Sequence, residues 1–406
     1  MPDTFFDNFN MPNTSSSSLH VAIVGAGVIG AMSAWRLARR GVKVTLFDRY
    51  APAHDRGATG GESRVFRVAC KEGAKHVPLV RESLALWREL EGEANQRLLY
   101  QTGVATIGTP SMPGMRAIRE TATQFDLRLD VLERDAALAR FPQFRLASGE
   151  IMLFDPEGGA LRSDLAVLSA VERAVACGAT LRSYTSVDAV EPFDDHVALK
   201  IGGATETFSH VVMAPGGWAS FEPALAALPL VTRRIALGWF APRVPAEFGI
   251  DHSIVLMHLF ESGYFYMFPC MDGATVKASC NIGGWPALDA PHALPRSLPA
   301  DELAHLRRTA AEVAPGLRAD PVRIGIYMDA YTPDGEGLLG ALPGDEKTSR
   351  MFVATGFSGH GFKFSPAIGE AVARLVVEGE AGGQVAHLDV ARFQDARTPQ
   401  RRAGTR

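Results

Sequence analysis

The run from His20 to Gly30 limits what this chain can fold into more than any other feature. An apolar stretch leads directly into Gly25-Ala26-Gly27-Val28-Ile29-Gly30. Residues 31–40 have helical character and Gly41 stops them, while residues 42–47 read as a second strand ending at Asp48. Each part has a physical task. Gly25 permits a tight turn, Gly27 lets backbone approach a pyrophosphate, and Gly30 lets the helix pack close to the strand. The free N–H groups and positive dipole end of the helix suit phosphate. Asp48, about 20 residues on, sits where a carboxylate accepts hydrogen bonds from a ribose. The order predicts a βαβ unit that binds a dinucleotide.

With 406 residues the chain is long for one ordinary core, and two or three domains are expected. Hydrophobic residues make up 47% and charged residues 21%, as in globular proteins that work in water. The net charge of −4 gives no electrostatic case for nucleic acid or an anionic membrane. Cys70, Cys177, Cys270 and Cys280 form no paired framework and no CxxC spacing, which predicts a reduced, cytoplasmic setting. No metal site is expected. Residues 1–18 are polar and Ser-rich, without the pattern of a signal peptide, and read as a disordered lead; residues 396–406 read as a disordered tail. No apolar run approaches the roughly 18 residues that span a bilayer.

Strand-to-glycine turns recur near residues 25, 215 and 356. One nucleotide-binding domain assembled from separated segments explains this spacing better than consecutive domains. The expected architecture is α/β and α+β: a doubly wound Rossmann-type dinucleotide-binding domain from residues 19–95, 150–225 and 335–395, and a discontinuous second domain, on an antiparallel-rich sheet, from 96–149 and 226–334. Strands are expected at 100–108, 180–182, 186–190, 197–201, 207–212, 232–240, 254–260, 264–269, 274–281, 323–328 and 351–354. Helices are expected at 77–91, 112–125, 165–176 (capped by Ser163 or Asp164), 301–314 and 366–378.

The far C-terminal turn favours a flavin over a nicotinamide. A tightly held flavin needs phosphate contacts at one end and polar backbone around its ring at the other. The turn from Gly356 to Gly361, before a helix, can aim N–H groups at the carbonyl edge of the ring, where reduction places negative charge.

These residues carry a resemblance. Gly60-Gly61-Glu62-Ser63-Arg64-Val65-Phe66-Arg67, Tyr264 to Pro269 with Lys277 beyond, and the specific run Gly356-Phe357-Ser358-Gly359-His360-Gly361-Phe362-Lys363-Phe364 resemble the monomeric sarcosine oxidase and N-methyl-tryptophan oxidase family. That family belongs to the wider D-amino-acid-oxidase-like flavoproteins, and the match spans residues 20 to about 393. The resemblance implies oxidation of a secondary or N-methylated amino acid to an imine that water hydrolyses, with dioxygen reduced to hydrogen peroxide. Two alternatives stay open: a dehydrogenase passing electrons to another carrier, and a non-catalytic flavin-binding subunit. A monomer or homodimer acting on a small molecule is expected.

Within that resemblance Lys277 is the expected catalytic residue, a fixed cation that activates dioxygen. Arg67 and Lys363 are expected to bind the substrate carboxylate, with Tyr266 and Asp329 lining the same site. Cofactor contacts are expected from Gly25, Gly27, Val28, Ile29, Gly30, Asp48, Arg49, Gly61, Ser63, Arg64, Val187, Gly216, Gly359, His360, Gly361, Phe362 and Lys363. The departures matter as well. Tyr327 stands where many relatives link FAD through cysteine, so the FAD is expected to be non-covalent. Gly60 and Asn281 replace two family histidines. Asp329 replaces a pocket tyrosine, which puts sarcosine itself in doubt as the substrate.

Overall fold

The computed structural model describes residues 19–342 and 350–393; the lead at 1–18 and the tail at 396–406 lie outside them. The strand His20–Val24 is central to a six-stranded sheet. On one side it pairs in parallel with Lys43–Phe47, which in turn pairs with Thr180–Arg182. On the other it pairs in parallel with His210–Met213, followed by Met351–Thr355 and the antiparallel edge strand Leu338–Ala341. The near-continuous burial of His20–Val24 and Lys43–Phe47 suits strands covered on both faces.

The helices Val28–Arg39, Ser163–Ala176 and Ser365–Glu378 cover one face through a core that includes Trp35, Leu37, Val167 and Ile368. An antiparallel meander, Ala189–Pro192, Val197–Ile201 and Ala204–Phe208, covers the other. Two glycines set the helix spacing. A Cβ on Gly30 would stand 1.8 Å from the Gly25 carbonyl oxygen, and one on Gly369 would stand 2.6 Å from the Met32 backbone. The helix at 163 begins at Ser163 itself, with Arg162 as N-cap and no side-chain cap, so neither expected cap residue acts as one.

The second large sheet has eight strands. Leu317–Tyr331, Val231–Pro242, Val276–Ile282, Gly263–Met267 and Val255–Phe260 run antiparallel in that order, and Val104–Gly108, Ile151–Asp155 and Asp130–Leu132 follow. Val255–Phe260 and Val104–Gly108 form its single parallel pair. Ile151–Asp155 joins this sheet, and the chain enters the helix-covered side only at Ser163. The strand expected over 100–108 is split at Gly103, where φ is +87° and the Phe154 ring leaves no room for a Cβ. A short helix, Arg134–Arg140, was not legible in the sequence. The mixed parallel and antiparallel architecture agrees with the fold class read from the sequence. No helix among the described residues is long and apolar enough to cross a membrane.

Candidate active site

The parallel register brings three chain segments to one edge of the six-stranded sheet. Val24 lies beside Phe47 and Met213, so Gly25, Asp48 and Ala214 emerge together at the strands' carboxyl ends, where open α/β sheets bind ligands. Gly25 has φ +106°, and a Cβ there would stand 2.4 Å from the Ala214 carbonyl oxygen; only glycine fits. The Asp48 carboxylate holds the turn by accepting from the Ala26 N–H at 2.7 Å and the Tyr50 N–H at 2.8 Å. The helix starts at Gly27, which provides no side-chain cap, and the Val28 N–H donates to Thr59 Oγ1 at 3.2 Å.

A groove runs from this turn past the Gly356–Gly361 turn. Twelve of the expected cofactor contacts line it: Gly25, Gly27, Val28, Ile29, Asp48, Arg49, Arg64, Val187, Gly216, Gly359, Gly361 and Phe362. Gly30 and Gly61 do not line it. Gly30 sets helix-on-strand packing, and Gly61 offers its carbonyl to Lys277. The glycine cradle, the helix start free of its own cap and the carboxylate at the ribose position fit an FAD laid along the groove. Gly25, Gly27, Val28, Ile29 and Asp48 would hold its adenosine and pyrophosphate, and Arg64, Gly359, Gly361 and Phe362 would border its ring.

A second cavity of about 350 Å³ adjoins the groove, and Ala58, Arg64, Asp329, Gly359 and Phe362 line both. Arg67, Lys363, Tyr266, Asp329 and Lys277, gathered from across the chain, all line this cavity, together with Ser63 and His360. Arg67 and Lys363 are each only 2% exposed. The two cations share a residue that sequence reasoning missed: Glu72 Oε1 lies 3.2 Å from Arg67 Nη2, and Glu72 Oε2 lies 3.5 Å from Lys363 Nζ. Burial works to raise the Glu72 carboxyl, but Lys363 and Arg67 outweigh it and hold Glu72 well below the ordinary range. Burial also lowers Lys363, with Glu72 opposing. The signal was local: Glu72 follows Arg67 by five positions in one loop.

That loop is held by Asp155, also missed. Its Oδ2 accepts from the Val68 and Ala69 N–H groups at 3.0 and 3.2 Å, and its Oδ1 from those of Glu157 and Gly158 at 3.0 and 3.1 Å. One carboxylate thus ties the turn after Ile151–Asp155 to the segment that presents Arg67.

Lys277 comes from the eight-stranded sheet and reaches the 58–63 loop. Its Nζ donates to the Gly61 carbonyl at 2.9 Å and to the Ser63 carbonyl, and lies 4.1 Å from the centre of the Phe268 ring. Burial, then Arg64, pull the Lys277 ammonium well below its ordinary pKa. Arg64 folds the same loop by donating to the carbonyls of Ala58, Gly60 and Ser63. Asp329 accepts from the Ala330 and Gly359 N–H groups, both at 2.9 Å, and burial pushes its carboxyl up to about 6. Burial pushes the Tyr266 hydroxyl up to about 12. The replacements at 60 and 327 belong together, because a Cβ on Gly60 would stand 2.9 Å from the Tyr327 ring. A larger residue at 60 and a tyrosine at 327 compete for one space.

Comparison with known proteins agrees with a flavin cofactor. The profile of the DAO family, FAD dependent oxidoreductase, matches residues 20–375. A monomeric sarcosine oxidase of Bacillus sp. (strain NS-129) is 31% identical over 373 residues, covering 90% of this chain and 94% of that protein. An N-methyl-L-tryptophan oxidase of Yersinia pestis (strain Pestoides F) is 26% identical, covering 92% and 98%. Among solved structures, the open form of NikD, described as an unusual amino acid oxidase essential for nikkomycin biosynthesis, aligns with a TM-score of 0.81 at 23% identity. That alignment covers 92% of this chain and 98% of that one. The chain belongs to the DAO family of FAD-dependent oxidoreductases.

Proposed function

We propose that this protein oxidises a carboxylate-bearing secondary or N-methylated amino acid to its imine, which water hydrolyses, and that dioxygen is the electron acceptor and is reduced to hydrogen peroxide. The observation that carries this reading is a single cavity lined by Arg67, Lys363 and Lys277 that opens onto the dinucleotide groove. Bound FAD supplies the two-electron acceptor for the C–N oxidation. Arg67 offers a planar fork and Lys363 a point charge to the substrate carboxylate, which fixes the amine carbon for transfer. Glu72 holds that position between them, so an incoming carboxylate must displace it or share its partners. Lys277 provides a buried cation for the charge that develops on dioxygen. Asp329 gives the cavity an acidic group, favouring a substrate with a cationic or hydrogen-bond-donating group near the reacting centre. Tyr327 replaces the cysteine that many relatives use for linkage, and FAD is held by non-covalent contacts.

The test is a screen of N-methyl, cyclic and N-carboxyalkyl amino acids against the purified yellow protein. Anaerobic bleaching of the flavin and peroxide formation in air are scored separately. Bleaching without peroxide would favour a dehydrogenase, and no bleaching by any amino acid would favour a non-catalytic subunit. Lys277→Met should keep anaerobic bleaching and slow reoxidation by dioxygen by about 10²-fold, the scale of one lost charge-stabilising group; an unchanged oxygen rate would remove Lys277 from the mechanism. Acid precipitation should release the flavin into solution.

A further inference from the structure

A group of histidines beside the active site has no part in the proposed reaction. His76 ends the turn before the helix Val77–Ala94 and is 1% exposed. Glu336 lies just before Leu338–Ala341, His360 sits in the Gly356–Gly361 turn, and His387 belongs to the short 3-10 helix Gly383–Leu388. Ligand atoms of His76, Glu336 and His360 all lie within 4.8 Å of one another. His76 Nε2 is 2.8 Å from Glu336 Oε2, and His387 Nε2 is 3.9 Å from the same oxygen. The His76 ring stands edge-on to both other imidazoles, at 5.9 Å from His360 and 5.1 Å from His387.

We infer that His76, Glu336 and His360, with His387 completing the set, bind one divalent transition ion of the Zn²⁺ class. Four nitrogen and oxygen donors suit a borderline ion in a closed tetrahedral site. Bonds of 2.0–2.1 Å give donor–donor edges of about 3.4 Å and imidazole centres about 5 Å apart. The 2.8 and 3.9 Å separations at Glu336 Oε2 bracket the first value, the 5.1 and 5.9 Å ring separations lie just above the second, and His387, outside the 4.8 Å group, moves inward to complete the set.

Unused donor capacity points the same way. Among the described residues His387 Nε2, the ring nitrogen 3.9 Å from Glu336 Oε2, is buried without a hydrogen-bond partner, an arrangement that costs free energy unless something accepts the lone pair. Glu336 is oriented in advance: Lys75 Nζ holds Oε1 at 2.7 Å, leaving Oε2 to the histidines. Its backbone carbonyl accepts from Thr332 Oγ1 at 2.6 Å and Arg392 Nη2 at 3.1 Å. The Phe364 ring stacks on His76 at 5.3 Å and walls one side. The bound ion would pin the His360 turn to three other chain segments, a structural clamp on a wall of the substrate cavity. No linear spacing announces it, because the donors lie at 76, 336, 360 and 387.

The test is equilibrium dialysis of the flavin-loaded protein, first stripped with chelator, against micromolar Zn²⁺, with bound metal and flavin counted together. Wild type should take up one equivalent per chain and gain thermal stability on doing so. His76→Gln and the more exposed His387→Gln should each weaken uptake at least tenfold while retaining flavin, and His292→Gln, at an exposed position, should bind as wild type does. Absence of saturable uptake by wild type would overturn the assignment, leaving an ion-paired cluster around Glu336. So would uptake that survives both cluster substitutions.

Discussion

Replacing Asp155 with asparagine offers a quantitative test of how the substrate end is built. The carboxylate accepts four backbone N–H groups, two from the segment that follows Arg67 and two from its own turn. It is 3% exposed, and burial raises its carboxyl above the ordinary range despite those donors. The net gain of the native arrangement is therefore modest, but breaking it from one side is expensive. Asparagine keeps one accepting oxygen and turns an amide nitrogen toward the other pair of N–H groups. Two buried donors lose their acceptor at about 1–3 kcal/mol each, or about 2–6 kcal/mol in all. With an unfolding entropy near 2.1 cal/mol/K per residue, a chain of this size should lose about 2–7 °C in Tm. Asp155→Ala strands all four donors and should lose roughly twice as much. The assay is thermal unfolding of both variants beside a titration with acetate, followed by the flavin spectrum. Acetate affinity should fall along with stability, because Arg67 is positioned by the same bonds. Variants that melt within a degree of wild type and bind acetate equally well would refute the argument.

Other consequences can be checked in the same preparations. Asp329 is raised from 3.8 to about 6 in the folded chain, so the stability linked to its protonation is full below pH 4 and is lost as pH rises through 6. That shift corresponds to about 3 kcal/mol. Asp329→Asn does not titrate and should gain on wild type in Tm between pH 4 and pH 7; a gap that stays constant across that range would contradict the assignment. Gly25→Ala forces a Cβ against the Ala214 carbonyl at φ +106° and should yield folded protein with little or no flavin, measured as absorbance per chain. Full flavin occupancy in that variant would show that the groove is not the dinucleotide site.

Much of the fold was legible because its signals are local. A run of apolar residues entering Gly25-Ala26-Gly27 needs no tertiary information to read as a strand and phosphate turn, and the helix Ser365–Glu378 shows its apolar face in its own periodicity. The helix Arg134–Arg140 was missed because seven residues give too short a pattern. At the site, Arg67, Lys277, Asp329 and Lys363 were named through resemblance. Glu72 and Asp155 were not, although both stand beside segments already singled out, because a lone acid in a loop or at a strand end has no pattern that separates a solvated carboxylate from one holding four N–H groups or two buried cations.

The sequence alone was enough to specify a dinucleotide-binding βαβ unit, its return through two later glycine turns, and the chemical types available for catalysis, since backbone conformation and hydrophobic period are written within a few neighbouring residues. Only the tertiary structure decided that Glu72 stands between Arg67 and Lys363, that Gly60 and Tyr327 share one space, and that His76, Glu336, His360 and His387 converge. Coulombic attraction, steric exclusion and ligand geometry act over a few ångströms of space, whatever the separation along the chain.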